Sequence, residues 1–319
     1  MSNKPAGLSN DSLWPRAGGW PSPDDIAPGK RIDAALVGIP ASQTSLSATN
    51  AHETPDAIRA ALFRYSPALM QDRGVLDKNL RNDPGIIDLE ELTVADFGNV
   101  TDPDSPAGEA RTIALMADAA KASELVIALG GDNSITVAAA LGVWGSDLET
   151  AGLITLDAHY DLRDGVSNGS PVRRLIEAGM NPDRIVQIGI QDFANSASYA
   201  RRAHELGITV IHRDDLERRS MADVMAEALS IAGSAGGPIH VDLDVDVCDR
   251  AVAPACPASV PGGISAYELR QAARAAGKHS QVHSIDLAEI DATMDAPDGR
   301  TIRLAALCVL EAVAGLSQR

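Results

Sequence analysis

The chain has 319 residues, 45% hydrophobic and 22% charged, enough for one large α/β domain or two small ones. A formal net charge of −17 argues against nucleic acid or an anionic membrane as partner, since both need clustered Lys and Arg. The cysteines Cys248, Cys256 and Cys308 contain no CxxC pair and give no disulfide framework, which points to a reducing compartment. Residues 1–30 are polar and rich in Gly, Pro and Ser. They lack the apolar stretch of a signal peptide, and no run in the chain reaches membrane-span length. They read as a loose N-terminal arm on a cytoplasmic protein, with residues 31–319 as a single domain.

Short apolar runs alternate with Ala-rich helical segments. AALVGI (34–39) predicts a strand, and 54–65 a helix with Thr54 as N-cap and Pro55 in its first turn. A strand follows over 92–98, a helix over 107–122, a strand over 125–129 and a helix over 134–144 capped by Ser134. The next elements are a strand over 152–156, a helix over 171–179, a strand over 184–190 and a helix over about 195–206. Then come a strand over 208–211, a helix over 221–233, a strand over 239–243 and a helix over 265–277 capped by Ser265. A strand over 281–287 and a closing helix over 298–315 complete the chain. Apolar strands separated by helices predict βαβ units around a buried, mainly parallel sheet.

In such sheets ligands bind outside the carboxyl ends of the strands. Four predicted strands end in polar, metal-competent residues. GGDNSIT (130–136) follows one, and its glycines would let the chain turn sharply at the strand end. DAHYD follows a second, with Asp157, His159 and Asp161; DVD follows a third, with Asp244 and Asp246; Glu289 follows the fourth. In an extended segment alternate residues point the same way, so each D-x-H-x-D or D-x-D set can converge on one point. Alone, either pattern marks a solvated loop more often than a metal site; their conjunction at four strand ends favours the site. Four carboxylates in one pocket cannot all stay ionised without cations, and two divalent ions would neutralise them. Oxygen-rich ligands with an imidazole suit Mn²⁺ better than thiolate-loving Zn²⁺. Asp132 reads as orienting its loop, Cys248 as a small buried hydrophobe, and His240 and His283, inside strands, as core or supporting residues.

These motifs resemble the ureohydrolase family, which includes arginase, agmatinase, guanidinobutyrase and formimidoylglutamase. GGDNS is similar to the family's GGDHS, LDAHYD to its DAHxD, residues 242–263 to its DxDxxDPxxxPxxxxPxPGG, and IDLAEID to its D-x-x-E segment. The resemblance implies a three-layer α/β/α fold and two Mn²⁺ ions per subunit. Asp157 and Asp244 would bridge them, Asp161 and Asn133 would complete the first, and His159 and Asp246 the second. Asp161 would orient the attacking hydroxide and Glu289 would hold the cationic amidine or guanidinium, which makes these two the candidate catalytic residues. Two family histidines are replaced. Asn133 offers a weaker ligand, so the first metal site is expected to bind loosely, and Asn168 in SNGSP cannot act as a general acid near neutrality.

Arg163, two residues past Asp161, and Arg173 join Asn168 and Glu289 as candidate substrate-binding residues. Arginine pairs bidentately with carboxylates, which moves the reading toward the formimidoylglutamase branch, whose substrate N-formimino-L-glutamate has an amidine-like head and two carboxylates. The alternatives are a urea-releasing hydrolase of a guanidino compound (guanidinobutyrase, guanidinopropionase, agmatinase or arginase) and a non-catalytic, metal-poor relative. A homo-oligomer with a small-molecule substrate is what the family implies.

Overall fold

The computed structural model describes residues 7–70 and 86–319. The first half runs β1 (Ile32–Gly38), α1 (Thr54–Leu62), β2 (Ala68–Met70), β3 (Ile86–Asp88), β4 (Val94–Asn99), α2 (Pro106–Ala122), β5 (Ser123–Leu129) and α3 (Ile135–Trp144). The second runs β6 (Gly152–Leu156), α4 (Pro171–Glu177), β7 (Ile185–Ile190), α5 (Ala197–Leu206), β8 (Thr209–His212), α6 (Met221–Ala232), β9 (Ile239–Asp244), α7 (Ala266–Lys278), β10 (Val282–Ala288) and α8 (Arg300–Leu316).

Eight strands form one sheet in the order β4-β1-β5-β10-β9-β6-β7-β8. Every pairing in it is parallel. The strands are apolar on both sides, so each face needs a cover. Helices α1, α6, α7 and α8 pack together on one face, and α2, α3 and α4 on the other, giving three layers. Leu125, Ile127 and Leu129 of β5 face the first helical layer, while Val126 and Ala128 face the second. The antiparallel pair β2–β3 stands apart from the main sheet. Three-residue strands carry too few positions for a period to be read, and the sequence reading contained neither.

Part of the N-terminal arm is held in place. Ala17 is buried and donates its N–H to Tyr65 O at 2.9 Å, and Asp96 N–H donates to Pro21 O at 2.8 Å. Residues 1–6 of that arm lie outside the described residues.

Local capping differs in two places from the sequence expectation. Thr54 opens α1 but its hydroxyl donates to Ile290 O at 2.5 Å, tying the helix to the loop after β10. Ser134 makes no cap bond; its hydroxyl donates to Asp132 Oδ1 at 2.5 Å. Ser265 does cap α7, with Glu268 closing a reciprocal capping box.

The strands β5, β10, β9 and β6 are consecutive neighbours at the centre of the sheet. Their carboxyl ends therefore open on one place, where the four motifs meet. Gly130 and Gly131 serve close approach there rather than a sharp turn. Neither has a positive φ, but a Cβ on Gly130 would sit 2.2 Å from Leu287 O and one on Gly131 2.1 Å from Ala41 O. Their N–H groups donate to Leu287 O and Ile39 O, which seats the loop between β10 and β1.

Candidate metal centre

The site begins where β6 ends. Asp157 N–H donates to Ile188 O at 3.0 Å, which holds the chain against β7. His159 turns its Nδ1 to Asp246 Oδ2 at 2.6 Å, with Asp157 Oδ1 at 3.4 Å. Ligand atoms of Asp157, His159 and Asp246 all lie within 4.8 Å of one another. Asp246 is fixed by donating its N–H to Asp244 Oδ1 at 2.8 Å and by accepting the Ala158 N–H at 2.9 Å. Asp157 and His159 converge just past the end of β6, where the chain bends, and Asp161 is aimed separately. That residue sits beyond the strand in the left-handed region, at φ 51°, and Glu289 does so too, at φ 63°. Two acids at these uncommon backbone angles in one site mark conformations that the surrounding fold enforces.

Five carboxylates are gathered here almost without solvent: Asp157, Asp161, Asp244, Asp246 and Glu289 are each 7% exposed or less. Burial, followed by neighbouring acids, pushes Asp157 and Asp244 well above the usual carboxylate range. Burial raises Asp161 to about 7, against the pull of His159. It raises Glu289 to about 8, against hydrogen bonds from Asn133 and Asn168. His159 is lowered by burial, but Asp246 beside it outweighs this and carries it to about 9. Asp246 is pushed up by burial, yet His159 holds it below the ordinary range. Asp157 Oδ2 is buried with no hydrogen-bond partner among the described residues. An orphaned carboxylate oxygen within a crowd of buried acids and one imidazole fits divalent cations of the Mn²⁺ type.

Asn133 faces the cluster with the wrong atom for a ligand. Its Nδ2 donates to Asp161 Oδ2 at 2.6 Å, and its Oδ1 accepts from the Thr136 hydroxyl at 2.9 Å. An ionised carboxylate only accepts, so it draws the amide NH2 toward itself. To act as a ligand, the amide would have to turn over, with Thr136 changing from donor to acceptor. Glu289 Oε1 accepts the Asn133 backbone N–H at 2.8 Å and the Asn168 Nδ2 at 2.6 Å. Asn168 in turn accepts the Leu46 N–H at 3.0 Å, so it binds Glu289 to the loop after β1.

A cavity of 220 Å³ opens on these residues, lined by His159, Asp161, Asp244, Asp246, Glu289 and Asn168 at its acidic end. Arg163 also lines it and is exposed, and its guanidinium has no hydrogen-bond or ion-pair partner among the described residues. Arg173 does not line it. Its Nε donates to Arg163 O at 2.5 Å, and its guanidinium also engages Gly165 O and Glu177. The side chain expected to contact substrate is thus turned to loop carbonyls and Glu177 and away from the cavity lining. Asn195 and Tyr199, which the sequence reading passed over, line the same cavity. Asn195 braces the metal loop by donating to Ala158 O at 2.8 Å and accepting the Tyr160 N–H at 3.1 Å. The signal was present: this segment too follows a strand end.

Beneath the site, His240 is fully buried between Ser284 Oγ at 2.7 Å and Asp286 Oδ2 at 3.0 Å. Asp242 lies in register with Asp286 on the neighbouring strand, and both are buried. His240 is thus a supporting residue, as its place within a strand predicted, whereas His283, also within a strand, is exposed.

Residues 32–315 match the model of the arginase family. The chain belongs to that family. It is 34% identical over 297 residues to the formimidoylglutamase of Halalkalibacterium halodurans, covering 90% of this chain and 88% of the relative. It also resembles the crystal structure of formimidoylglutamase from Bacillus subtilis, with a TM-score of 0.82 and 26% identity over 98% of this chain and 95% of that one. A structure described as Trypanosoma cruzi formiminoglutamase with Mn²⁺ shares the fold, with a TM-score of 0.77 and 22% identity over 90% and 94% of the two chains. This arginase-family member is a hydrolase acting on amidino C–N bonds. The family is metal-dependent, in keeping with the buried acids at the strand ends.

Proposed function

We propose that this hydrolase converts N-formimino-L-glutamate to L-glutamate and formamide, as a step in histidine breakdown, with two Mn²⁺ ions per subunit. The observation that carries the reading is the polarity of the cavity. Its buried acids, Asp161, Asp244, Asp246 and Glu289, suit a cationic amidine, while the exposed Arg163 guanidinium has no partner among the described residues. A substrate with a cationic head and an anionic tail meets both. Agmatine carries no carboxylate for Arg163, and arginine carries one.

The residues that would hold the metals are Asp157, His159, Asp161, Asp244 and Asp246, joined by Asn133 only with its amide reversed. Bound there, the cations would neutralise the carboxylates and lower the pKa of water enough to supply a nucleophile near neutrality. Asp161 would orient the attacking water through its buried carboxylate. Glu289 would receive the amidine N–H groups in charge-assisted hydrogen bonds, with Asn168 and the Asn133 backbone fixing the direction of its carboxylate. Arg163 would pair with a substrate carboxylate. Asn168 has no proton to give near neutral pH, so the leaving nitrogen takes its proton from elsewhere in the site.

The reading includes a cytoplasmic homo-oligomer, and the three buried free thiols suit a reducing compartment. The test is a screen of the Mn²⁺-loaded protein on formiminoglutamate and a panel of guanidino compounds. Formamide without urea is the expected outcome. Urea from any guanidino compound, with no turnover of formiminoglutamate, would refute the assignment.

A further inference from the structure

The loop 161–165 is gripped from two sides by arginines of different helices. From α4, Arg173 donates its backbone N–H to Asp161 O at 3.2 Å and its Nε to Arg163 O at 2.5 Å, and its fork also reaches Gly165 O. From α5, Arg202 donates to Leu162 O at 2.7 Å and to Asp164 Oδ1 at 2.9 Å. Its guanidinium lies 5.7 Å from the ring centre of Tyr199, which lines the cavity. The main chain on both sides of Arg163 is therefore pinned, while the Arg163 guanidinium has no partner among the described residues. Gly169 accepts the Arg163 N–H at 3.0 Å and leaves room for its stem, since a Cβ there would come 2.7 Å from Arg163 Cδ.

A loop of this length has no need of two arginines merely to close. Long side chains lose rotamer freedom when held, and exposed pairs return little stability. The investment fits a loop whose residue must be presented in one place. We infer that Arg173 and Arg202 are positioning residues that fix Arg163 for a carboxylate of the substrate, and so set selectivity for carboxylated amidines. Neither touches the substrate. Each acts through the backbone of the residue that does. With its main chain pinned, Arg163 can meet a carboxylate without first giving up loop entropy, and small misplacement of a binding group is costly. This inference rests on the formiminoglutamate reading above.

The experiment measures kcat and KM of the Mn²⁺-loaded protein for formiminoglutamate and for N-methylformamidine, which has the amidine head and no carboxylate. Arg202→Gln and Arg173→Gln are expected to raise KM for formiminoglutamate roughly tenfold relative to N-methylformamidine, with kcat little changed. In an Arg163→Ala background the same substitutions should add nothing to KM for formiminoglutamate, because the group they position is gone. Arg202→Lys, which keeps the charge and loses the planar fork, should restore part of the effect. Should either glutamine variant fold poorly, Asp164→Asn at an 81% exposed side chain loosens the Arg202 grip and should raise the same KM ratio to a smaller degree. Equal losses on both substrates, or full additivity with Arg163→Ala, would overturn the inference. No turnover of formiminoglutamate by the parent protein would instead defeat the functional reading.

Discussion

The buried acids make a quantitative prediction about metal-free protein. An acid whose folded pKa lies above its unfolded value holds more protons folded than unfolded between the two, so stability falls as pH rises across that interval. Asp161 moves from 3.8 to about 7, and Glu289 from 4.5 to about 8. Each shift of roughly 3 units corresponds to about 4 kcal/mol lost between the acidic end and pH 8. The two groups share one cluster, so their effects do not simply add. His159 acts in the same direction. Its pKa rises from 6.5 to about 9, so the stability it contributes below 6.5 disappears as pH rises through 9. Asp246 acts oppositely, but only as pH falls through values below 3.8. Chelator-treated protein should thus lose about 4 kcal/mol between pH 5 and pH 8, a fall in Tm of roughly 6 °C for a chain of 319 residues. Mn²⁺ competes with those protons, so the loaded protein should lose this slope and gain metal affinity as pH rises. Thermal unfolding at fixed ionic strength, with chelator and with Mn²⁺, gives both curves. A metal-free Tm that is flat or rises from pH 5 to pH 8 would show that these carboxylates are not desolvated together, and the reasoning for a cation site would fail with it.

Four further outcomes follow from single side chains. Asp157→Asn and Asp244→Asn should each lower bound Mn²⁺ measured by atomic absorption; unchanged metal content would place the ligands elsewhere. Glu289→Gln keeps the shape and removes the charge for the amidine, so kcat/KM should fall by roughly 100-fold, the scale of a lost charge-assisted pair of about 3 kcal/mol, with metal content kept. Gly131→Ala drives a Cβ to 2.1 Å from Ala41 O and should cost about 1–3 kcal/mol in urea unfolding, with weaker Mn²⁺ binding because Asn133 and its loop shift. His240→Ala leaves a buried Asp286 without its partner and should cost about 2–4 kcal/mol, against no loss if that carboxylate finds another donor.

Much of the fold was legible because the strands are apolar throughout and the helices begin with recognisable caps or prolines. The ends of strands 125–129, 152–156, 239–243 and 281–287 could be read as one site only by assuming that they meet. The physical reason they do is the strand order, in which β10 inserts between β5 and β9 and brings Glu289 beside Asn133. Nothing local in the sequence encodes that insertion. Two local readings also failed for a shared reason. Ser134 and Thr54 have the chemistry of caps, but each hydroxyl finds a tertiary or loop acceptor first, Asp132 in one case and Ile290 O in the other. Propensity describes a residue facing its own helix; the fold decides whether it does.

The arginines and the amide show the same limit at the site itself. Arg163 and Arg173 are ten residues apart and equally suited by type to a carboxylate. In space one is left free and the other is consumed holding the first, a division of labour that depends on where α4 starts relative to the loop. Asn133 stands where the family motif places imidazole, and composition alone makes it a weak ligand. Its orientation adds a second obstacle, because the neighbouring Asp161 carboxylate competes for the amide NH2. Any metal recruited to Asn133 must therefore first overturn a buried hydrogen-bonded amide, in addition to accepting a poorer donor. A metal site that included Asn133 would be weakened twice, once by residue type and once by the partner that residue has found, and Thr136→Val, which removes the hydroxyl held by Oδ1, separates the two. If orientation governs, Thr136→Val should change Mn²⁺ stoichiometry or affinity by isothermal titration. If residue type governs alone, the titration curve should be unchanged.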